Sequence, residues 1–116
     1  MSDSFYPSID PGPWPVERAF PRLQYPSHLR PYLITSVETC EVVDCSERGV
    51  RYGCTFDLRP VGSVVSATIC FRSGLEVVVR GLVVRVHEGE VALELEEAHG
   101  IPAAVIAAEE AALMEQ

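Results

Sequence analysis

Lysine is absent from this chain of 116 residues, and positive charge is scarce overall. The 9 basic residues are all arginine and face 17 aspartates and glutamates, which gives a formal net charge of −8 at pH 7. Proteins that coat DNA or RNA need a positive field around them, so the composition argues against that class. It argues equally against a polybasic membrane anchor.

Several signals for targeting and chemistry are also missing. No apolar run approaches the about 20 residues of a membrane span, and the N-terminus lacks the basic and apolar regions of a signal peptide. The four cysteines form no CxxC pair, the three histidines are not spaced like zinc ligands, and neither a P-loop nor a G-x-S-x-G elbow occurs. We therefore expect a cytoplasmic protein with reduced, structural cysteines, no metal and no enzymatic activity.

Prolines concentrate in the first 31 residues. Residues 1–16 contain four prolines, which excludes a regular helix or a central strand, so we predict a flexible tail there. Residues 17–31 add three prolines and three arginines among apolar residues without periodicity, which is typical of an extended docking arm. One domain is expected over residues 17–116.

The middle of the chain alternates apolar and polar residues with the period of β-strands. After Gly81 the apolar phase shifts by one residue, which predicts a β-bulge there, and Glu88-Gly89 predicts a hairpin turn. The short spacing indicates a small antiparallel barrel or sandwich. Six strands are predicted, over Tyr32–Thr35, Thr39–Asp44, 50–56, 65–71, 75–86 and 91–95.

The last segment has the composition of a helix. Residues after Pro102 are rich in alanine, glutamate, leucine and methionine, so we predict a terminal helix over about 101–115. Its apolar stripe either covers the β-domain or contacts a partner, and covering the domain is the favoured interpretation.

Two short motifs carry the functional signal. The docking arm contains an RxxxR pattern formed by Arg18 and Arg22, and a D-x-S-x-x-G pattern formed by Asp44, Ser46 and Gly49 follows at the junction of the second and third strands. In this order, with six strands and a terminal helix, the chain resembles the PilZ domain family, bacterial receptors for the second messenger cyclic di-GMP. The resemblance covers residues from about 17 to 97.

The resemblance implies an all-β fold, a six-stranded antiparallel barrel over residues 32–97 with an N-terminal arm and a C-terminal helix. It also implies that cyclic di-GMP binds on the outer surface of the barrel. Arginines can bond phosphates and guanine edges in a fork, and a carboxylate accepts from guanine N1–H and N2–H. Glu17 departs from the family pattern, since many members carry a third arginine there. The site residues implied are Arg18, Arg22, Asp44, Ser46 and Gly49, with Arg48 and Arg51 as additional candidates.

The expected function is that of a receptor whose arm closes over the nucleotide and creates a surface for a protein partner. Because no second domain is expected, the signal would act in trans, on the motility, pilus or surface-polysaccharide machinery that the family regulates in biofilm formation. The first alternative is a protein of the same fold that binds no nucleotide and acts as an adaptor. A small β-barrel enzyme or oligonucleotide binder is a second alternative. The acidic charge and the lack of aromatic platforms on the strands count against the oligonucleotide binder.

Overall fold

The computed structural model describes residues 21–115 of the chain. The predicted tail and the first four residues of the arm, 17–20, lie outside the described residues. Short 3₁₀ helices occur at Ser27–Leu29 and Glu97–His99. The strands and the α-helix are β1 (Leu23–Gln24), β2 (Tyr32–Ile34), β3 (Thr39–Ser46), β4 (Gly49–Gly53), β5 (Val64–Cys70), β6 (Glu76–His87), β7 (Glu90–Leu95) and α1 (Ala103–Met114).

Six of these strands close into an antiparallel barrel. The hydrogen-bonded order is β3-β2-β5-β6-β7-β4, and the pairing of β4 with β3 completes the circle. The short strand β1 is an addition, paired with the second half of β3 beside β2. The predicted six-stranded antiparallel barrel with a C-terminal helix is therefore confirmed, and closure leaves no long strand edge exposed among the six.

The barrel interior holds one hydrophobic core. Alternate residues of each strand point inward, as the pleat requires, and the inward set consists almost wholly of apolar side chains. The largest fully buried members include Tyr52, Leu33, Ile69, Leu93 and Leu95.

The C-terminal helix covers one end of this core. Ile101 and Ile106 are 2% and 4% exposed and belong to the core cluster. The buried Tyr25, just after β1, donates a hydrogen bond from its hydroxyl to Glu109 Oε1 at 2.7 Å. The favoured interpretation of the helix as a cover for the domain thus agrees with the packing. In the described part of the chain, no helix combines the length and apolar character that a membrane span needs.

The predicted bulge at Gly81 is wrong in position. The register of β6 with β7 shifts between Val83 and Arg85 instead. Gly81 continues the inward row between the buried Val79 and Val83, and Leu82 is 45% exposed. Glycine is needed at 81 for another reason, because a Cβ there would lie 2.4 Å from the carbonyl oxygen of Glu94.

The third predicted strand ends earlier than expected. The sequence predicts a strand to residue 56, but β4 ends at Gly53 and Phe56 is 79% exposed. The cause lies in the turn that follows, where the carboxylate of Glu38 accepts the backbone N–H groups of residues 55–57. Because these backbone N–H groups are bonded to the Glu38 side chain, they do not extend the ladder of β4. The Glu88-Gly89 turn is confirmed, with both residues at positive φ.

We expect Gly81→Ala to destabilise the barrel. The added methyl group would meet backbone atoms of β7, which cannot swing aside as a flexible side chain would, so the loss should be about 1–3 kcal/mol of unfolding free energy. Urea denaturation measures it. Gly53→Ala is the control, because a Cβ there would lie 4.0 Å from the carbonyl oxygen of Gly89, an ordinary contact. Equal stability of the two variants would contradict the close approach at Gly81.

Candidate ligand-binding site

A β-bulge in β3 turns Asp44 to the outside of the barrel. Cys40 and Val42 point into the core, and unbroken alternation would send Asp44 inward as well. The register with β4 shifts at this point, from Val42 opposite Tyr52 to Asp44 opposite Arg51, so Val43 is the extra residue. Beyond it Cys45 lies in the core, and Asp44 therefore faces outward.

The bulge in β6 has the same effect on Arg85. Val83 is buried opposite Leu93, Val84 is the extra residue, and Arg85 then pairs with Ala92. Arg85 is consequently on the outer surface. The registers of four ladders join into a single row across the outer face, which runs Gln24, Asp44, Arg51, Ala92 and Arg85.

Asp44 is the buried centre of this row. Its side chain is 0% exposed, and Oδ2 accepts a hydrogen bond from Arg51 Nη2 at 2.6 Å. The second oxygen, Oδ1, has no donor among the described residues. The other end of the Arg51 guanidinium lies 3.4 Å from Glu90 Oε1. A buried carboxylate that has no donor at one of its oxygens among the described residues is a strong hydrogen-bond acceptor.

Burial dominates the electrostatics of Asp44. Loss of solvation raises the pKa of its carboxyl above the ordinary value of 3.8, and the positive charges of Arg51 and Arg22 oppose that rise. The β1–β3 ladder places the arm here, since Leu23 pairs with Cys45 and Gln24 with Asp44. Arg22 is half-buried and directly precedes β1, whose Gln24 pairs with Asp44.

Ser46 and Gly49 share the outer face with Asp44. Ser46 is two residues beyond Asp44, is fully buried, and pairs with Gly49 across the two-residue turn. Its hydroxyl also accepts the backbone N–H of Arg48 at 3.4 Å, which is the ordinary role of serine in a turn. The structure thus brings together Arg22, Asp44, Ser46 and Gly49 of the predicted site residues, while Arg18 lies outside the described residues.

The two additional candidates have different positions. Arg51 is central, since it holds Asp44 and borders the cavity described next. Arg48 instead donates from Nε to the carbonyl oxygen of Leu95 at 2.8 Å, which ties the β3–β4 turn to the segment before α1. Arg51 therefore lies beside Asp44, whereas the Arg48 side chain is bonded to the end of β7.

A small cavity beside Arg51 adds residues that the sequence analysis missed. It has a volume of about 40 Å³ and is lined by Arg51, Arg85, His87, Glu90 and Ala92. These residues occupy outward positions of β4, β6 and β7 in adjacent rows. In the sequence, His87 and Glu90 stand on either side of the Glu88-Gly89 turn, but only the register shows that they line one cavity with Arg51.

The site combines arginines with carboxylates on one outer face of an acidic protein. Arg22, Arg51 and Arg85 lie there with Asp44 and Glu90, and Glu94 stands opposite Gly49 in the neighbouring row. In a chain with a net charge of −8, three arginines on one face offer charged donors to an anion. The described residues of this face offer hydrogen-bond donors, from the arginines, and an acceptor, from the aspartate.

Comparisons with models of protein families, with curated proteins and with solved structures return no match.

We expect Asp44 to make stability fall as pH rises. Its folded pKa is above 3.8, so between 3.8 and that raised value the folded state holds more protons than the unfolded state. The unfolding free energy therefore decreases as pH rises through this window. In Asp44→Asn this decrease of the unfolding free energy should be absent. Urea denaturation of both proteins from roughly pH 4 to 7 measures it.

The control for this experiment is Glu110→Gln, which removes one exposed carboxylate from α1. Its stability profile should run parallel to that of the wild type. A parallel profile for Asp44→Asn as well would show that Asp44 titrates alike in the folded and unfolded chain.

Proposed function

We propose that this protein is a receptor for cyclic di-GMP and that the nucleotide binds on the outer face of the barrel around Asp44. The observation that carries the proposal is the fully buried Asp44 carboxylate, held at one oxygen by Arg51 and without a described donor at the other. The Watson–Crick edge of guanine presents two adjacent donors, N1–H and N2–H. A guanine base at this position would donate the hydrogen bond that Oδ1 lacks.

The arginines account for the remainder of the ligand. Cyclic di-GMP carries two phosphates, and a guanidinium can hold a phosphate oxygen pair in a fork, bond the O6 and N7 edge of guanine or stack on a base. Arg22 approaches from the arm, and Arg51 and Arg85 approach from the barrel. Arg18, four residues before Arg22, is assigned to the same ligand through the resemblance to PilZ domains.

The shape of the outer face suits a flat ligand. Ala92 in the central row and Gly49 in the neighbouring row carry the smallest side chains, so the surface between the arginines is low. Gly49 lets a ligand approach the backbone without a Cβ in the way. A purine ring can therefore lie against the sheet beside Asp44.

The proposed role is signalling without catalysis. Binding would fix the arm on the barrel and present an altered surface to a protein partner of the bacterial motility, pilus or polysaccharide machinery, in the cytoplasm. The resemblance to PilZ domains supports this assignment, together with the joint position of arm and barrel residues at Asp44.

A second candidate function is that of an adaptor that binds no nucleotide. An exposed apolar surface across β2, β5 and β6 favours it, with Tyr32 46%, Ile34 42% and Val78 68% exposed. Ile34 and Val78 stand in one row on either side of Thr68. Apolar sheet surfaces of this kind serve protein contacts, and a receptor would use such a surface for its output as well.

We expect Arg22→Ala to weaken cyclic di-GMP binding by about 10- to 150-fold, because a charge-assisted hydrogen bond contributes about 1.5–3 kcal/mol. Calorimetric titration of the full chain measures affinity and stoichiometry together. Arg72→Ala is the matched control, since Arg72 is an exposed arginine in the β5–β6 turn, away from Asp44. Wild-type protein that shows no binding heat would favour the adaptor.

We expect the nucleotide to protect the arm amides unevenly in hydrogen exchange. Leu23 and Tyr25 are already buried, and β1 is paired with β3 without ligand, so the segment Leu23–Tyr25 should be protected in both states. Residues 17–22 should gain protection only when cyclic di-GMP is added. Unchanged exchange of residues 17–22 at saturating nucleotide would contradict closure of the arm.

A further inference from the structure

Two cysteines meet at the far end of β3 from the nucleotide site. Cys40 lies in β3, Cys54 directly follows β4, and their Sγ atoms are 3.5 Å apart. The last ladder pair of these strands is Glu41 with Gly53, so the two cysteines are the next cross-strand neighbours. All four cysteines of the chain are free thiols in the structure.

The carboxylate of Glu38 stands beside the two thiols. One oxygen of Glu38 and the two Sγ atoms lie within 4.8 Å of one another. Glu38 Oε1 accepts the N–H groups of Phe56 and Asp57, at 2.7 and 2.8 Å, and Oε2 accepts that of Thr55 at 2.8 Å. A carboxylate offers about four lone-pair positions, so Oε2 retains one. The three amide donors also fix the orientation of the group, as outer-shell partners do for metal ligands.

We propose that Glu38, Cys40 and Cys54 form a binding site for a thiophilic divalent cation of the zinc class. With Zn–S bonds of about 2.3 Å, two thiolates in a tetrahedral site are about 3.8 Å apart, close to the observed separation of 3.5 Å. The carboxylate is the third ligand and water the fourth. Both thiols release their protons to solvent as the metal–sulfur bonds form, and no electron is transferred.

Access to the site is from the side of Cys54. Cys40 is 2% exposed, whereas Cys54 and Glu38 are half-buried, so an ion reaches the cluster without opening the core. The sequence predicts no metal because it contains no CxxC pair. The two cysteine ligands are 14 residues apart in sequence, and the β3–β4 hairpin brings them together. The proposal is independent of nucleotide binding.

Titration of the reduced full chain with Co²⁺ tests the site. We expect one equivalent to bind with a thiolate-to-cobalt charge-transfer band, and Zn²⁺ to displace it. Cys54→Ser should abolish the band. Cys70→Ser is the matched control, because Cys70 is equally half-buried but lies on β5, and its band should equal that of the wild type.

A second variant keeps the test decisive. Glu38→Gln retains the two thiols and should weaken Co²⁺ binding at least tenfold while a thiolate band persists at high Co²⁺. No charge-transfer band in the reduced wild type, or a band that survives Cys54→Ser, would overturn the proposal. If mild peroxide rapidly removes two titratable thiols and the reduced protein shows no cobalt band, the two cysteines form a disulfide and not a metal site.

Discussion

Strand β3 forms ladders with three other strands, and both the barrel and its candidate sites depend on those ladders. One edge of β3 pairs with β2 near its start and with β1 near its end, while the other edge pairs with β4. The β4 ladder closes the barrel, and the β1 ladder fixes the arm beside Asp44. A single strand thus links closure of the core to the position of the arm, so the arm reaches the outer face at a defined place.

Two bulges determine which charged groups face outward. A strand alternates strictly, so one extra residue exchanges its inner and outer sides. Val43 does this before Asp44, and Val84 does it before Arg85. Asp44 then points to the outer face next to Arg51, and Arg85 does so next to Ala92. Beyond the β3 bulge Cys45 returns to the core, whereas beyond the β6 bulge Val86 is 36% exposed. The same local irregularity therefore brings charged groups of two strands to one face.

The two ends of β3 carry different chemistry. At one end lie the arginines and Asp44, where we propose that the nucleotide binds, and at the other Cys40, Cys54 and Glu38 make a cluster of soft and hard donors. Both depend on the β3–β4 hairpin, since Asp44 meets Arg51 and Cys40 meets Cys54 across the same ladder. Neither pair is adjacent in sequence.

The sequence alone predicts the six barrel strands, the Glu88-Gly89 turn and the C-terminal helix, because periodicity, turn chemistry and helix propensity act over a few residues. Its motifs name Arg22, Asp44, Ser46 and Gly49 as candidates, and the ladders of β1, β3 and β4 place them on one outer face. The register follows only from the packing of the whole barrel. The bulges lie at Val43 and Val84 and not at Gly81, because closure of the barrel sets the pairing of distant strands. That pairing placed Arg85 and His87 beside Arg51 and brought two separate cysteines into contact.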